Sequence, residues 1–356
     1  MAFPILPDAG QPPGAAATAA AAYRPLVADT SRFLTVRGLR YHLRVWETPA
    51  LSSSPQGAGA ATQEVQPPML LLLHGWMDVS ASFQFVVDAL TARWRVVAPD
   101  WRGFGLSEGS PGREWAIDSY AFADYLGDLD AMVDALSPDA PVRLVAHSMG
   151  GNVATLYAGI RPHRVAGLVN LEGFGLPETD PAKAVGRYRR WLDELKEPTS
   201  LRPFATLDQV ASRLMKTNPR LPRDRARFLA GHWARPVLTA EQGTVAREGV
   251  REAAPAEASE EAGYRLRADP AHKRINPVPY RVDEALSCWA AIEAPVLWVT
   301  SRDRDSFHEF TKAPKYRRRL TVIPRLREVD VADAGHMLHH DQPGVVAGLI
   351  EDFFTR

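Results

Sequence analysis

The chain has 356 residues, of which 46% are hydrophobic and 24% are charged, as in an ordinary globular protein. Its formal net charge is zero, so no overall electrostatic field attracts nucleic acid or an anionic membrane surface. No apolar run reaches the roughly 20 residues that a membrane span requires. The single cysteine, Cys288, excludes an intramolecular disulfide and a cysteine-rich metal site, which is compatible with a reducing, cytoplasmic location.

Strand and helix patterns alternate along most of the chain. Short apolar runs predict strands, and longer amphipathic stretches predict helices. The predicted strands are Phe33–Val36, Tyr41–Thr48, Met69–Leu73, Trp94–Ala98, Val142–Ala146, Val165–Leu171, Val296–Thr300 and Arg327–Val331. The predicted helices are Ser82–Leu90, Tyr120–Leu136, Asn152–Ile160 and Val345–Phe354. This alternation predicts an α/β fold with a mostly parallel sheet flanked by helices.

One long interruption divides this pattern. Between Leu176 and Asp283 there is no convincing buried strand, and helical pieces alternate with many prolines. We interpret residues 176–283 as a helical cap inserted between two strands of the sheet. The core would then consist of residues 23–175 and 284–356. Residues 1–22 are rich in Ala and Pro and lack the basic start of a signal peptide, so we expect a flexible tail.

The most informative motif surrounds Ser148. A strand-like run ends in this serine, small residues stand two positions before and after it (Ala146 and Gly150), and a helix-compatible run follows. This layout is typical of a nucleophile elbow, a sharp strand-to-helix turn that exposes the serine hydroxyl. Larger flanking side chains would collide with the reversing backbone. Ser148 is therefore the candidate nucleophile.

A second motif, His74-Gly75-Trp76, directly follows a predicted buried strand. Gly75 lets the backbone bend sharply, which would point the N–H of Trp76 toward the nucleophile. With the N–H of Met149, at the start of the helix after the serine, it would form a two-donor oxyanion hole. An ordinary turn at a strand end is the alternative.

The candidate base is His336, which follows Gly335 after the last predicted strand. Its place C-terminal to the nucleophile fits the chain order of serine, acid and histidine. His339 and His340 stand at metal-ligand spacing from His336, but no carboxylate motif accompanies them. We therefore expect no metal and no cofactor, and interpret both as packing or polar residues beside the pocket.

Four ordered motifs resemble those of the α/β-hydrolase fold superfamily, in its lipase- and esterase-like branch with a helical cap. They are also similar to the motifs of serine hydrolase-like proteins within that superfamily. The motifs are HGWMD at 74–78, DWRGFGLS at 100–107, AHSMGG at 146–151 and DAGHMLHHDQP at 333–343. The resemblance covers about residues 33–354, with Ala146 departing from the usual glycine.

The resemblance implies a mechanism. Ser148 would attack a carbonyl carbon, His336 would accept its proton and return it to the leaving group, and water would release the acyl group. Haloalkane dehalogenases and epoxide hydrolases resemble this fold but use a carboxylate nucleophile, so the serine argues against both activities.

The acid of the triad has two candidate positions. In the commoner family pattern, a glycine follows the strand ending at Thr300, and an Asp stands three residues after that glycine. Here Arg304 occupies the position of that Asp, and Asp303 lies one residue before it. The other strand end that relatives use carries Glu172, which is in register. We prefer Glu172 over Asp303, although a structural Glu172 bonded to loop N–H groups is an alternative.

The expected function is hydrolysis of a carboxylic ester with a small or medium apolar acyl group. Hydrolysis of a C–C bond in a vinylogous diketone, or a small-molecule receptor with an intact triad, are the alternatives. The expected partner is a small-molecule substrate, with neither nucleic acid nor a membrane span involved, and the oligomeric state is left open. Four bulky cap residues are expected to shape the acyl pocket or to pack the cap's own core: Trp191, Phe204, Phe228 and Trp233.

Overall fold

A central β-sheet organises the chain, as seen in a computed structural model that describes residues 22–49, 67–109, 117–237, 263–302 and 314–355. Its strands are β1 (Asp29–Val36), β2 (Leu39–Glu47), β3 (Met69–Leu73), β4 (Arg95–Pro99), β5 (Val142–His147), β6 (Val165–Leu171), β9 (Val296–Ser301) and β10 (Leu326–Val331). Their spatial order is β1-β2-β4-β3-β5-β6-β9-β10. β2 pairs antiparallel with β1 and β4, and the remaining pairs are parallel. The predicted, mostly parallel sheet is confirmed.

Helices flank the sheet and continue through the segment between β6 and β9. They are α1 (Gln84–Val87), α2 (Phe122–Leu136), α3 (Met149–Ile160), α4 (Ala184–Lys196), α5 (Leu207–Thr217), α6 (Arg223–Trp233), α7 (Val282–Ala290), α8 (Pro314–Leu320), α9 (Leu338–Asp341) and α10 (Pro343–Thr355). The predicted helix Ser82–Leu90 is shorter than expected, since a 3₁₀ turn at Ser80–Phe83 precedes α1. No helix within the described ranges is long and apolar enough to cross a membrane.

Both faces of the sheet are buried, which explains why the central strand β3 is a continuous apolar run. In β3, Leu71 and Leu73 pack in a cluster with residues of α2 and α3. The alternate residues, Leu70 and Leu72, pack on the opposite face with residues of α1 and α10. Because successive side chains of a strand point to opposite faces, a strand covered on both sides needs an apolar residue at every position.

The segment between β6 and β9 builds a separate layer. Its helices α5 and α6 share a third apolar cluster that also includes Phe85 of α1. A short antiparallel hairpin follows α6, formed by β7 (Ala234–Val237) and β8 (Gly263–Leu266), and the sequence analysis missed it. Its four-residue, half-buried strands carry too little alternation to be recognised from sequence. The cap boundaries at 176 and 283 stay a prediction, and the tail residues 1–21 lie outside the described part of the chain.

Candidate active site

Ser148 occupies the turn between β5 and α3. Its backbone has φ 51° and ψ −114°, a conformation that residues other than glycine rarely adopt. The turn also requires small neighbours, because a Cβ added to Gly150 would lie 2.4 Å from the carbonyl oxygen of Leu73. Ala146, on the other side of the serine, is fully buried. The structure thus has the strand-turn-helix geometry that the sequence predicted here.

A chain of three polar side chains leads from this serine into the interior. The Oγ of Ser148 lies 3.0 Å from Nε2 of His336, and Nδ1 of His336 lies 3.3 Å from Oε2 of Glu172. The Glu172 side chain is fully buried, whereas that of His336 keeps 17% of its surface exposed. An imidazole held between a hydroxyl and a carboxylate can accept the hydroxyl proton while the carboxylate stabilises the resulting imidazolium.

Glu172 reaches His336 because of the turn that follows β6. This residue has φ 61°, its N–H donates to the Val299 carbonyl oxygen at 3.0 Å, and its Oε1 accepts a hydrogen bond from the N–H of Ser301. The second carboxylate oxygen therefore faces the imidazole while the first anchors the side chain to β9. The alternative acid, Asp303, lies outside the described residues.

His147, the residue before the nucleophile, is a part of the site that sequence reasoning missed. It is buried, and its Nε2 lies 2.8 Å from the backbone carbonyl oxygen of His336. A carbonyl can only accept, so Nε2 carries the proton and donates it. His147 thereby holds the backbone of the candidate base. The sequence offered only its position beside Ser148 as a signal.

The loop after β3 lies directly against the nucleophile. A Cβ built on Gly75 would lie 3.0 Å from Nδ1 of His147 and 3.2 Å from the Cβ of Ser148, so glycine fits this close approach without displacing either neighbour. Trp76 follows in the same loop. Met149 is the first residue of α3, where a helical N–H has no acceptor within the helix. The two predicted oxyanion donors thus lie on segments adjoining Ser148, and their role stays a prediction.

A buried polar network fixes this loop to the one after β4. Nδ1 of His74 donates to the Gly75 carbonyl oxygen at 2.7 Å, and its Nε2 accepts the N–H of Trp101 at 2.9 Å. Burial lowers the pKa of His74 to about 4, so the ring is neutral in this pattern. Burial opposes ionisation of Asp100, yet the hydrogen bond to His42 at 2.8 Å holds its pKa below the usual range.

Three of the four bulky residues singled out in the inserted segment contribute to packing. Phe204, Phe228 and Trp233 lie against the apolar cluster of α5 and α6. The indole N–H of Trp233 also donates to Oδ1 of Asp78 at 3.1 Å, which ties α6 to the loop after β3. Trp191 is half-buried on α4. The contacts of Phe204, Phe228 and Trp233 favour packing of the inserted segment's own core over direct lining of a pocket.

The family follows from comparison with known proteins. Residues 68–343 match the family model described as alpha/beta hydrolase fold. This match spans more than half of the chain, so the chain belongs to the α/β-hydrolase family. The predicted family, its fold and the assignment as a hydrolase enzyme are confirmed.

Individual relatives cover most of the chain. A serine hydrolase-like protein from Danio rerio is 27% identical over 293 residues, which cover 80% of each chain. Epoxide hydrolase 2 from Siraitia grosvenorii is 29% identical over 312 residues, covering 81% of this chain and 92% of the relative.

Solved structures show the same fold at low sequence identity. The thioesterase domain from the curacin biosynthetic pathway has a TM-score of 0.70 at 24% identity, covering 91% of this chain and 99% of the domain. The carboxylesterase CesB from Bacillus subtilis has a TM-score of 0.54 at 16% identity, covering 93% of each chain.

Proposed function

We propose that this chain is a serine hydrolase that cleaves carboxylic esters of small or medium apolar acyl groups through an acyl-enzyme. The observation that carries the proposal is the continuous contact from Ser148 Oγ to His336 Nε2, at 3.0 Å, and from His336 Nδ1 to Glu172 Oε2, at 3.3 Å. In this geometry a general base lies within hydrogen-bond reach of the nucleophile, and an acid orients the base.

The proposed reaction has two halves. Ser148 attacks the ester carbonyl carbon as its proton passes to Nε2 of His336, and the imidazolium is stabilised by Glu172. The N–H groups of Trp76 and Met149 stabilise the oxyanion. His336 then protonates the leaving alcohol. In the second half, the same imidazole activates a water molecule, which attacks the acyl-enzyme and releases the acid.

The serine at the elbow favours acyl transfer over the other chemistry found in this family. A thioesterase domain and a carboxylesterase share the fold, and acyl transfer from an ester or thioester suits a serine nucleophile. An epoxide hydrolase is also similar to this chain. Epoxide hydrolases of this fold, however, are expected to use a carboxylate nucleophile. Here the elbow carries Ser148, which supports ester cleavage.

Residues 176–283 are proposed to act as the cap over the acyl pocket. The hydrogen bond between Trp233 and Asp78 connects α6 to the loop that would supply an oxyanion donor. Because residues 176–283 contain none of the proposed catalytic or oxyanion-hole residues, changes there should alter acyl-chain preference more than the chemical step. The partner would be a small-molecule ester.

The test is turnover of p-nitrophenyl acetate, butyrate and longer esters by the purified chain. Ser148→Ala should reduce kcat on the order of 10⁶-fold while the fold is kept, by analogy with other serine hydrolases. Ser212→Ala, at an exposed position on α5, is the matched control and should leave kcat unchanged. An organophosphonate should label Ser148 and no other serine.

Three results would count against the proposal. Near wild-type turnover by Ser148→Ala would exclude this serine as the nucleophile. Cleavage of a ring-fission dienoate without ester turnover would assign a C–C bond hydrolase, and labelling of Ser148 without turnover of either substrate would favour a receptor.

A further inference from the structure

Three buried side chains beside the nucleophile take no part in the proposed reaction, yet they converge on one point. Asp78, His147 and His339 are 3%, 2% and 0% exposed. One carboxylate oxygen and one nitrogen from each imidazole lie within 4.8 Å of one another. The residues come from the loop after β3, the end of β5 and α9, so only the tertiary structure brings them together.

Each of the three residues keeps at least one buried polar atom without a hydrogen-bond partner within the described parts of the chain. Oδ1 of Asp78 accepts hydrogen bonds from a backbone N–H, a hydroxyl and the Trp233 indole, whereas Oδ2 has none. His147 donates through Nε2 to the carbonyl oxygen of His336, which leaves Nδ1 without a partner. Neither nitrogen of His339 has a partner.

The unpartnered atoms include lone pairs that can bind a cation. Because the proton of His147 is fixed on Nε2, its Nδ1 is an acceptor with no donor in reach. Buried polar atoms without partners are costly, and a cation bound by one atom of each residue would reduce that cost.

The donor set matches a particular class of cation. Two neutral imidazoles and one carboxylate, with a fourth position left for water, form a ligand set typical of Zn²⁺. Tetrahedral zinc with bonds of about 2.0–2.1 Å requires donor atoms about 3.4 Å apart, so small side-chain rotations would close the cluster. The outer contacts also fit, because metal-binding histidines commonly donate their other N–H to a backbone carbonyl, as His147 does.

We propose that Asp78, His147 and His339 form a buried site for Zn²⁺ or a similar divalent transition metal. The bound ion connects the loop after β3 and helix α9 to the end of β5, next to Ser148. It acts as a structural cross-link of the active-site segments and is independent of which substrate is cleaved. The sequence motif groups His339 with His336 and His340. It gives no sign of Asp78 and His147, which only the fold brings near His339.

The experiment uses the full chain after removal of metals with a chelator and dialysis. On addition of ZnCl₂, we expect about one zinc per chain by elemental analysis after gel filtration. Tm should rise by several degrees at zinc concentrations about 100 times Kd. Co²⁺ in place of zinc should give the visible absorption of a four-coordinate, nitrogen- and oxygen-bound ion.

Matched variants locate the ion. His339→Gln and Asp78→Asn should lose the bound zinc and the Tm shift. His163→Gln, an exposed histidine outside the cluster, should keep both. Glu172→Gln should also keep both, which separates this site from adventitious binding at the Glu172–His336 pair.

The proposal is overturned if the wild-type chain binds no zinc, or if His339→Gln retains the wild-type stoichiometry and Tm shift. The metal-free Tm of each variant is measured first, to establish that it folds. If both ligand variants fail to fold, the Co²⁺ spectrum of the wild-type chain decides. A weak spectrum identical to that of the hydrated ion overturns the proposal.

Discussion

Replacing Glu172 with glutamine removes one negative charge from the active site and changes almost nothing in shape. The amide keeps an oxygen for the N–H of Ser301, so the side chain should stay anchored to β9. What it loses is the carboxylate that faces Nδ1 of His336 at 3.3 Å. The variant should therefore fold normally and react slowly.

The size of the effect follows from this distance. Two unit charges 3.3 Å apart attract by about 5 kcal/mol at an effective dielectric constant of 20. If this attraction acts only when His336 is protonated in the transition state, its loss lowers kcat by up to about 10⁴-fold. The imidazole is 17% exposed, and solvent weakens the attraction, so the expected loss is about 10²- to 10⁴-fold.

The assay is steady-state hydrolysis of p-nitrophenyl butyrate, with thermal unfolding as a check on the fold. Both kcat and kcat/KM should fall by the same factor, because the lost interaction exists only in the transition state. Asp303→Asn is the paired comparison and should retain kcat. A large loss in Asp303→Asn with none in Glu172→Gln would show that the reasoning about Glu172 is wrong.

Two further predictions concern stability. Gly150→Ala should destabilise the fold by about 3 kcal/mol in urea unfolding, because its Cβ would lie 2.4 Å from the Leu73 carbonyl oxygen. The control Gly186→Ala, with nothing within 4 Å, should gain about 0.5–1 kcal/mol, and equal effects would refute the steric argument. Burial lowers the pKa of His74 to about 4 and of His272 to about 3, so the folded state keeps both neutral while the unfolded chain binds protons below about pH 6.5. The contribution of these two histidines should be full above that pH and fall by about 2–3 kcal/mol per pH unit between pH 6 and 4.5. His272→Phe should reduce the measured slope by about 1.4 kcal/mol per pH unit, and an unchanged slope would contradict the assignment.

Much of the fold was predictable because its signals are local. Met69–Leu73 and Val165–Leu171 have the same bounds in the prediction and in the structure. Met69–Leu73 is a continuous apolar run, and Val165–Leu171 departs from one at Asn170, whose buried side chain is hydrogen-bonded. A parallel strand covered on both faces is expected to be mostly apolar. Small residues around Ser148 likewise reflect steric limits within a few positions of chain. The short hairpin β7–β8 was missed because four half-buried residues per strand carry no comparable periodicity.

The candidate site combines local and non-local information. Local motifs identified Ser148 and His336 as candidates, and the order of motifs along the chain indicated the family, which the comparisons confirm. The sequence could place Glu172 at a strand end, but its distance from His336 depends on β6 and β9 being neighbours in the sheet. Its role as the acid stays a prediction.

The amino-acid sequence by itself determined where the chain turns from strand to helix and which residues near those turns could carry chemistry. Only the tertiary structure decided which of them meet. His147 donates to the backbone of His336, 189 residues away, and lies in one buried cluster with Asp78 and His339. Hydrophobic periodicity records which face of an element is buried, but it contains no information about which distant polar side chain lies opposite, because that is set by sheet order and by the packing of whole elements.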